Sequence, residues 1–175
     1  MADKELSAFA VLALAMATPA AAAPLTYDCD TTPGHFSELS QDLPPGPVTV
    51  SGILTPHVMN IADRWAPSGI VNLESADGTE LVQIVVTGSL RIDKESMSAS
   101  LRVTSEGKEQ KIDLGIVSLM QPLPFSLAWD PAGKVLVKLA NWRREVALRP
   151  GSVAKASVSC STGEFLFEKL AFGAR

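Results

Sequence analysis

The sequence predicts an all-β fold, an antiparallel two-sheet sandwich of about ten to twelve strands. Three observations predict it. Beyond Pro24 apolar and polar residues alternate at period two. Turn signals recur at intervals of about 8–12 residues, as in sandwiches and barrels. No stretch of that region sustains a helical period beyond about one turn.

In chain order, residues 48–54 (VTVSGIL) form a strand that runs into Pro56. Residues 58–65 have room for one or two helical turns bounded by Pro56 and Pro67, since proline is excluded from a helix interior. Residues 70–74 and 80–87 meet across Ala76-Asp77-Gly78, and Asp-Gly is among the strongest short hairpin signals. Residues 98–104 pair with 109–114 across Ser105-Glu106-Gly107-Lys108. The clearest hairpin joins 125–129 to 134–139 across Asp130-Pro131-Ala132-Gly133. There Phe125, Leu127 and Trp129 share one face, matched by Val135, Val137 and Leu139. Strands over 144–149 and 154–160 follow. Residues 164–172 close the chain with Phe165 and Phe167 inward, then Leu170 or Phe172.

The N-terminus reads as an export signal. Residues 8–17 (AFAVLALAMA) are an uncharged apolar run, and Ala20 and Ala22 form an A-x-A site, so residues 1–22 are expected to be a cleaved signal peptide and 23–175 a single β-sandwich domain. The acidic pair Asp3 and Glu5 around Lys4 departs from the usual positive start. A retained anchor and a cytosolic N-terminal helix are the alternatives. Cleavage removes Asp3, Lys4 and Glu5, which changes the formal charge from -4 for the whole chain to -3. The expected location is periplasmic or secreted. In an oxidising compartment Cys29 and Cys160 are expected to form a disulfide rather than two separate thiols, which would make the first and last strands neighbours.

The segment 124–148 (PFSLAWDPAGKVLVKLANWRREVAL) runs as apolar strand, Asp-x-x-Gly turn, short strand, loop and short strand; residues 163–170 (GEFLFEKL) form a closing edge strand. Together they resemble the concanavalin A-like and laminin G-like jelly rolls. The resemblance covers about a fifth of the chain. It implies two large antiparallel sheets with the terminal strands side by side, and a fold in which carbohydrate or protein binding is common.

Chemical motifs are sparse. No E-x-D-x-E string of a jelly-roll glycosidase occurs, nor a nucleophile elbow or a phosphate-binding glycine loop. The sequence therefore leans away from an enzyme, without settling the matter. No zinc spacing is present, and Asp28 and Asp30 around Cys29 form an oxygen-rich turn more readily read as solvated than as a calcium site, so no cofactor is expected. A pI near 5.2 argues against nucleic acid as a partner. No membrane insertion is expected once the signal is removed.

The best ligand-binding candidates are His57, Asn60, Asp63, Arg64 and Trp65 in the longest irregular segment, with Trp142 beside Asn141 and Arg143 as a second platform. A flat indole stacks on the apolar face of a pyranose while amide, carboxylate and guanidinium groups take its hydroxyls. The same tryptophans would serve equally as caps over the core. The chain thus reads as an exported non-catalytic module for carbohydrate or another envelope polymer. The alternative is a structural or protein-interaction component of the cell envelope. Exposure of Trp65 and Trp142 on one side would favour the first reading, and burial or opposite placement the second.

Overall fold

A computed structural model describes residues 23–59, 65–88, 95–151 and 153–174. The expected leader, 1–22, lies outside the described residues. Among these residues ten strands run in chain order: β1 (Leu25–Asp42), β2 (Val48–Met59), β3 (Ser68–Ser75), β4 (Glu80–Gly88), β5 (Ser96–Ser105), β6 (Lys108–Ser118), β7 (Leu123–Trp129), β8 (Lys134–Leu139), β9 (Trp142–Ala147) and β10 (Val153–Ala174). Every pairing is antiparallel.

Strand β10 builds the two layers. Its first half, from Val153 to Ser161, pairs with β3, and its second half, from Gly163 to Ala174, pairs with β2. Strand β1 follows β10 through both halves along its other side, shifting register between Thr31 and Phe36. The first layer is therefore β6-β5-β4-β3-β10-β1, and the second is β9-β8-β7-β2-β10-β1. Both long strands turn the corner together, at Thr162 (φ 56°) in β10 and at Gly34 (φ 81°) in β1. The result is an all-β, antiparallel, two-sheet sandwich of jelly-roll type.

The core lies between the layers. Val71, Leu73, Val82, Ile84 and Leu101 from the first layer face Val50, Leu54, Leu127, Phe165 and Phe167 from the second, all fully buried. Each such side chain contributes about 1.5–3 kcal/mol of burial. Trp129 is core, as its alternation with Phe125 and Leu127 predicts. Gly69 is required by the packing, because a Cβ there would lie 2.6 Å from the Phe165 ring across the interface. A bulge at Lys169 explains why Leu170 and Phe172 both join Phe165 and Phe167 inside.

The disulfide crosses the corner. Cys29 lies opposite Phe165 in the second layer, Cys160 lies opposite Ser37 in the first, and their Cα atoms are 6.0 Å apart. It joins the first strand to the last, as the sequence reading expects.

Several elements differ from the sequence reading. Val58 and Met59 continue β2 instead of starting helical turns. Asp28 and Asp30 sit within β1, opposite Leu166 and Glu164, rather than in a turn. The two expected strands at 154–160 and 164–172 are one continuous strand bent at Thr162. Strand β9 begins at Trp142, two residues earlier than expected.

Candidate functional site

The outward face of the first layer carries a polar row in register across its strands. The pleat sends Asn72 of β3, Gln83 of β4, Arg102 of β5 and Ser157 of β10 away from the core, because their neighbours in sequence are core residues. Register then places them side by side: Ser157 opposite Asn72, Asn72 opposite Gln83, and Gln83 opposite Arg102. Ser40 on β1 and Lys111 on β6 extend the row at its ends. At a strand spacing of about 4.8 Å, six strands give a polar row about 24 Å long.

Hydrogen bonds fix the middle of the row. Asn72 Nδ2 donates to Ser157 Oγ at 3.1 Å, and Gln83 Nε2 donates to Asn72 Oδ1 at 2.9 Å. These contacts orient both amides and leave Gln83 Oε1 and part of each amide group for a ligand. Arg102 Nε lies 3.9 Å from Glu109 Oε1, beyond hydrogen-bond range, and finds no partner among the described residues.

Two further rows lie toward the corner. In the first, Ile70 and Val85 are flanked by Ser159 and Ser100, whose buried hydroxyls have no partner among the described residues. In the next, Ser161, Ser68, Thr87 and Ser98 run between Phe36 and Ile116, which are 59% and 61% exposed. The face thus carries an amide row and, nearer the corner, a hydroxyl row, while Ser159, Val85 and Ser100 in the strip between them are buried.

The candidates named from sequence are dispersed. Trp65 is 55% exposed and packs at the corner, where a Cβ on Gly34 would lie 3.2 Å from its Nε1. It therefore stands beside Gly34, on the β1 margin. Trp142 is 40% exposed and packs against Gly115 of β6, closing the opposite margin. The two indoles lie on opposite sides and share no groove, the placement that favours a structural or protein-interaction role for them over a shared glycan platform. His57 belongs to neither, since its Nδ1 lies 3.0 Å from Glu164 Oε1 on the outer side of the second layer. Asn60, Asp63 and Arg64 lie outside the described residues.

A second polar cluster closes the end of the sandwich away from the corner. A cleft of about 320 Å³ is lined by Ser75, Asp77, Thr79, Glu80, Trp129 and Arg149. Glu80 is almost fully buried, and Arg149 donates to it from Nε at 2.9 Å and from its amide at 3.3 Å. The Glu106 amide also donates to Glu80, at 3.3 Å. Burial alone would raise the Glu80 pKa, but hydrogen bonds from Ser105, Arg149 and the Glu106 amide outweigh it and hold the carboxyl below its ordinary value. These groups satisfy one another, which marks the cluster as a closure of the fold. Among the described residues no group of His, Cys, Asp and Glu is arranged to hold a metal ion, and no helix is long and apolar enough to cross a membrane.

Comparison with known proteins locates the fold. No family model matches the chain, and no curated protein matches it. Among solved structures it is similar to a double asparagine-to-cysteine variant of alginate lyase A1-II′, with a TM-score of 0.57 and 12% identity over 87% of this chain and 80% of that one. It is similar to the alginate lyase from Alteromonas sp. 272, with a TM-score of 0.55 and 9% identity over 74% and 72% of the two chains. It is also similar to the carbohydrate-binding module CBM66 from Bacillus subtilis, with a TM-score of 0.51 and 10% identity over 89% and 98%. At these identities the likeness is one of fold: the concanavalin-like jelly-roll sandwich that residues 124–148 and 163–170 resemble.

Proposed function

We propose that this chain is an exported carbohydrate-binding domain whose binding surface is the outer face of the first layer. The observation that carries the reading is the hydrogen-bonded row Ser157–Asn72–Gln83, continued by Arg102. These side chains are in register across four strands and are not needed for the core, and Ser157, Asn72 and Gln83 are oriented by one another. Preorganised amides lose little entropy on binding a hydroxylated ligand. Phe36 and Trp65 stand at one margin as the stacking surfaces. Trp142 and His57 take no part.

Two further lines support this reading. The three neighbours named above are, by their names, two alginate lyases and a carbohydrate-binding module. The disulfide is suited to an oxidising compartment, which agrees with residues 1–22 acting as a leader and with a secreted or periplasmic location. The row is built of amides, hydroxyls and a guanidinium, a set suited to binding. A cleaving site would call instead for a convergent acid and base.

Affinity electrophoresis of the oxidised protein against a polysaccharide panel tests the proposal. At least one polysaccharide is expected to retard the protein, and Asn72→Ala or Gln83→Ala is expected to weaken its binding by about tenfold, or about 1.4 kcal/mol. Trp142→Ala is expected to leave retardation unchanged, with all variants matching the parent by circular dichroism. Shortening of the retained polymer during the assay would replace binding by cleavage as the activity. Retardation lost only in Trp142→Ala would move the site to the β6–β9 margin.

A further inference from the structure

This inference rests on the proposed carbohydrate face and names the class of polymer it takes. Among the described residues, register assigns to that face three bases, Arg102, Lys111 and Lys155, and five acids, Glu38, Asp42, Glu74, Glu109 and Asp113. The acids lie around the amide row, at both ends and along one side. Asp42, Glu74 and Glu109 occupy the next row away from the corner, while Glu38 and Asp113 end the row on its other side.

One of the three bases, Lys155, is committed to an acid. Lys155 Nζ lies 2.6 Å from Glu38 Oε1. That hydrogen bond, with the charges of Glu38, Glu74 and Asp42 beside it, keeps the ammonium charged and neutralised. Arg102 has Glu109 as its nearest carboxylate, at 3.9 Å. Lys111, on the outermost strand, is the remaining base.

A polyuronate laid along this row would carry a carboxylate on every sugar. It would have to compete with Glu38 for Lys155, while Asp42, Glu74, Glu109 and Asp113 repel it. At physiological salt the screening length is about 8 Å, so these charges still act across the width of the row. Like charges brought together at a binding surface select against the wrong ligand. The centre of the row, meanwhile, is made of uncharged donors and acceptors. We propose that the face binds an uncharged polysaccharide and discriminates against polyuronates, although two of the solved structures that share its fold are named as alginate lyases.

The test compares barley β-glucan, glucomannan and dextran with polygalacturonate and alginate. It uses the oxidised chain in about 20 mM and about 200 mM NaCl. A neutral polymer is expected to bind with an affinity that changes by less than about twofold between the two salts, and the polyuronates to bind at least about tenfold more weakly. Replacing two acids, Glu74→Gln with Glu109→Gln, is expected to raise the affinity for the polyuronates at low salt by about threefold or more. Polyuronate binding that equals or exceeds neutral binding, and weakens with salt, overturns the inference while the carbohydrate-binding reading stands. Binding of no polymer of either kind overturns that reading and the inference with it.

Discussion

Replacing both cysteines, Cys29→Ala with Cys160→Ala, is expected to destabilise the folded chain by about 4–5 kcal/mol, the largest effect of any change considered. The bridge closes a loop of 131 residues in sequence separation. Its loss returns the corresponding loop-closure entropy to the unfolded chain, about 5 kcal/mol by the chain-entropy relation. The location adds a specific cost, because the bridge pins β1 to β10 where both strands pass between layers. For a domain of this size the thermal midpoint should fall by about 10–15 °C. Reductant should lower the midpoint of the parent to a similar value and leave the double variant unaffected. A double variant that melts with the oxidised parent would show that the corner is held by packing alone.

The second large effect is expected at Glu80. Glu80→Ala removes the acceptor for Arg149 and for the amides of Glu106 and Arg149 at the end of the sandwich. Breaking a buried pair on one side costs about 3–5 kcal/mol. The Arg149 side chain is 47% exposed and regains water, so the lower figure, about 3 kcal/mol, is expected. The pH dependence has a definite sign. The folded-state pKa of Glu80 lies below its ordinary value of 4.5. The carboxylate therefore contributes stability above that value and loses it as pH falls through the folded pKa, where the unfolded chain has already taken up its proton. Asp77 acts in the same sense, its carboxyl lowered from 3.8 to about 2 by hydrogen bonds from Ser75 and Thr79. Urea midpoints between neutral pH and the acid range should show a falling limb that is shallower in Glu80→Gln. An acid limb unchanged in Glu80→Gln would remove Glu80 from the account.

The hairpins were legible in the sequence because their determinants are local. Gly78, Glu106, Gly107 and Gly133 all adopt positive φ within the turns that their sequences announce. Core alternation in β7 and β8 was equally plain. Strand β1 was not legible: of its 18 residues only Cys29 and Thr31 are buried, and Pro33-Gly34 reads as a turn. Only its long partner β10 makes it a strand. In the same way Thr162-Gly163 reads as a turn between two strands, when the chain bends there and continues.

The candidate site shows the same division. The sequence drew attention to tryptophans, which were visible one at a time, and overlooked the amides. Yet a signal was present. Asn72 and Gln83 are equidistant from the Asp77–Gly78 turn, so the predicted hairpin alone sets them opposite each other on its outward face. Ser157 joins them only through the pairing of β10 with β3, a contact distant in sequence.

The most direct test of the central claim is a titration followed through the side-chain amide resonances of Asn72 and Gln83 in ¹⁵N-labelled, oxidised protein. Addition of the polysaccharide that retards the protein is expected to shift both pairs saturably, together with backbone amides of β3, β4, β5 and the first half of β10. Shifts confined to the surroundings of Trp142, or to the outer side of the second layer around His57, would contradict the assignment of the binding face.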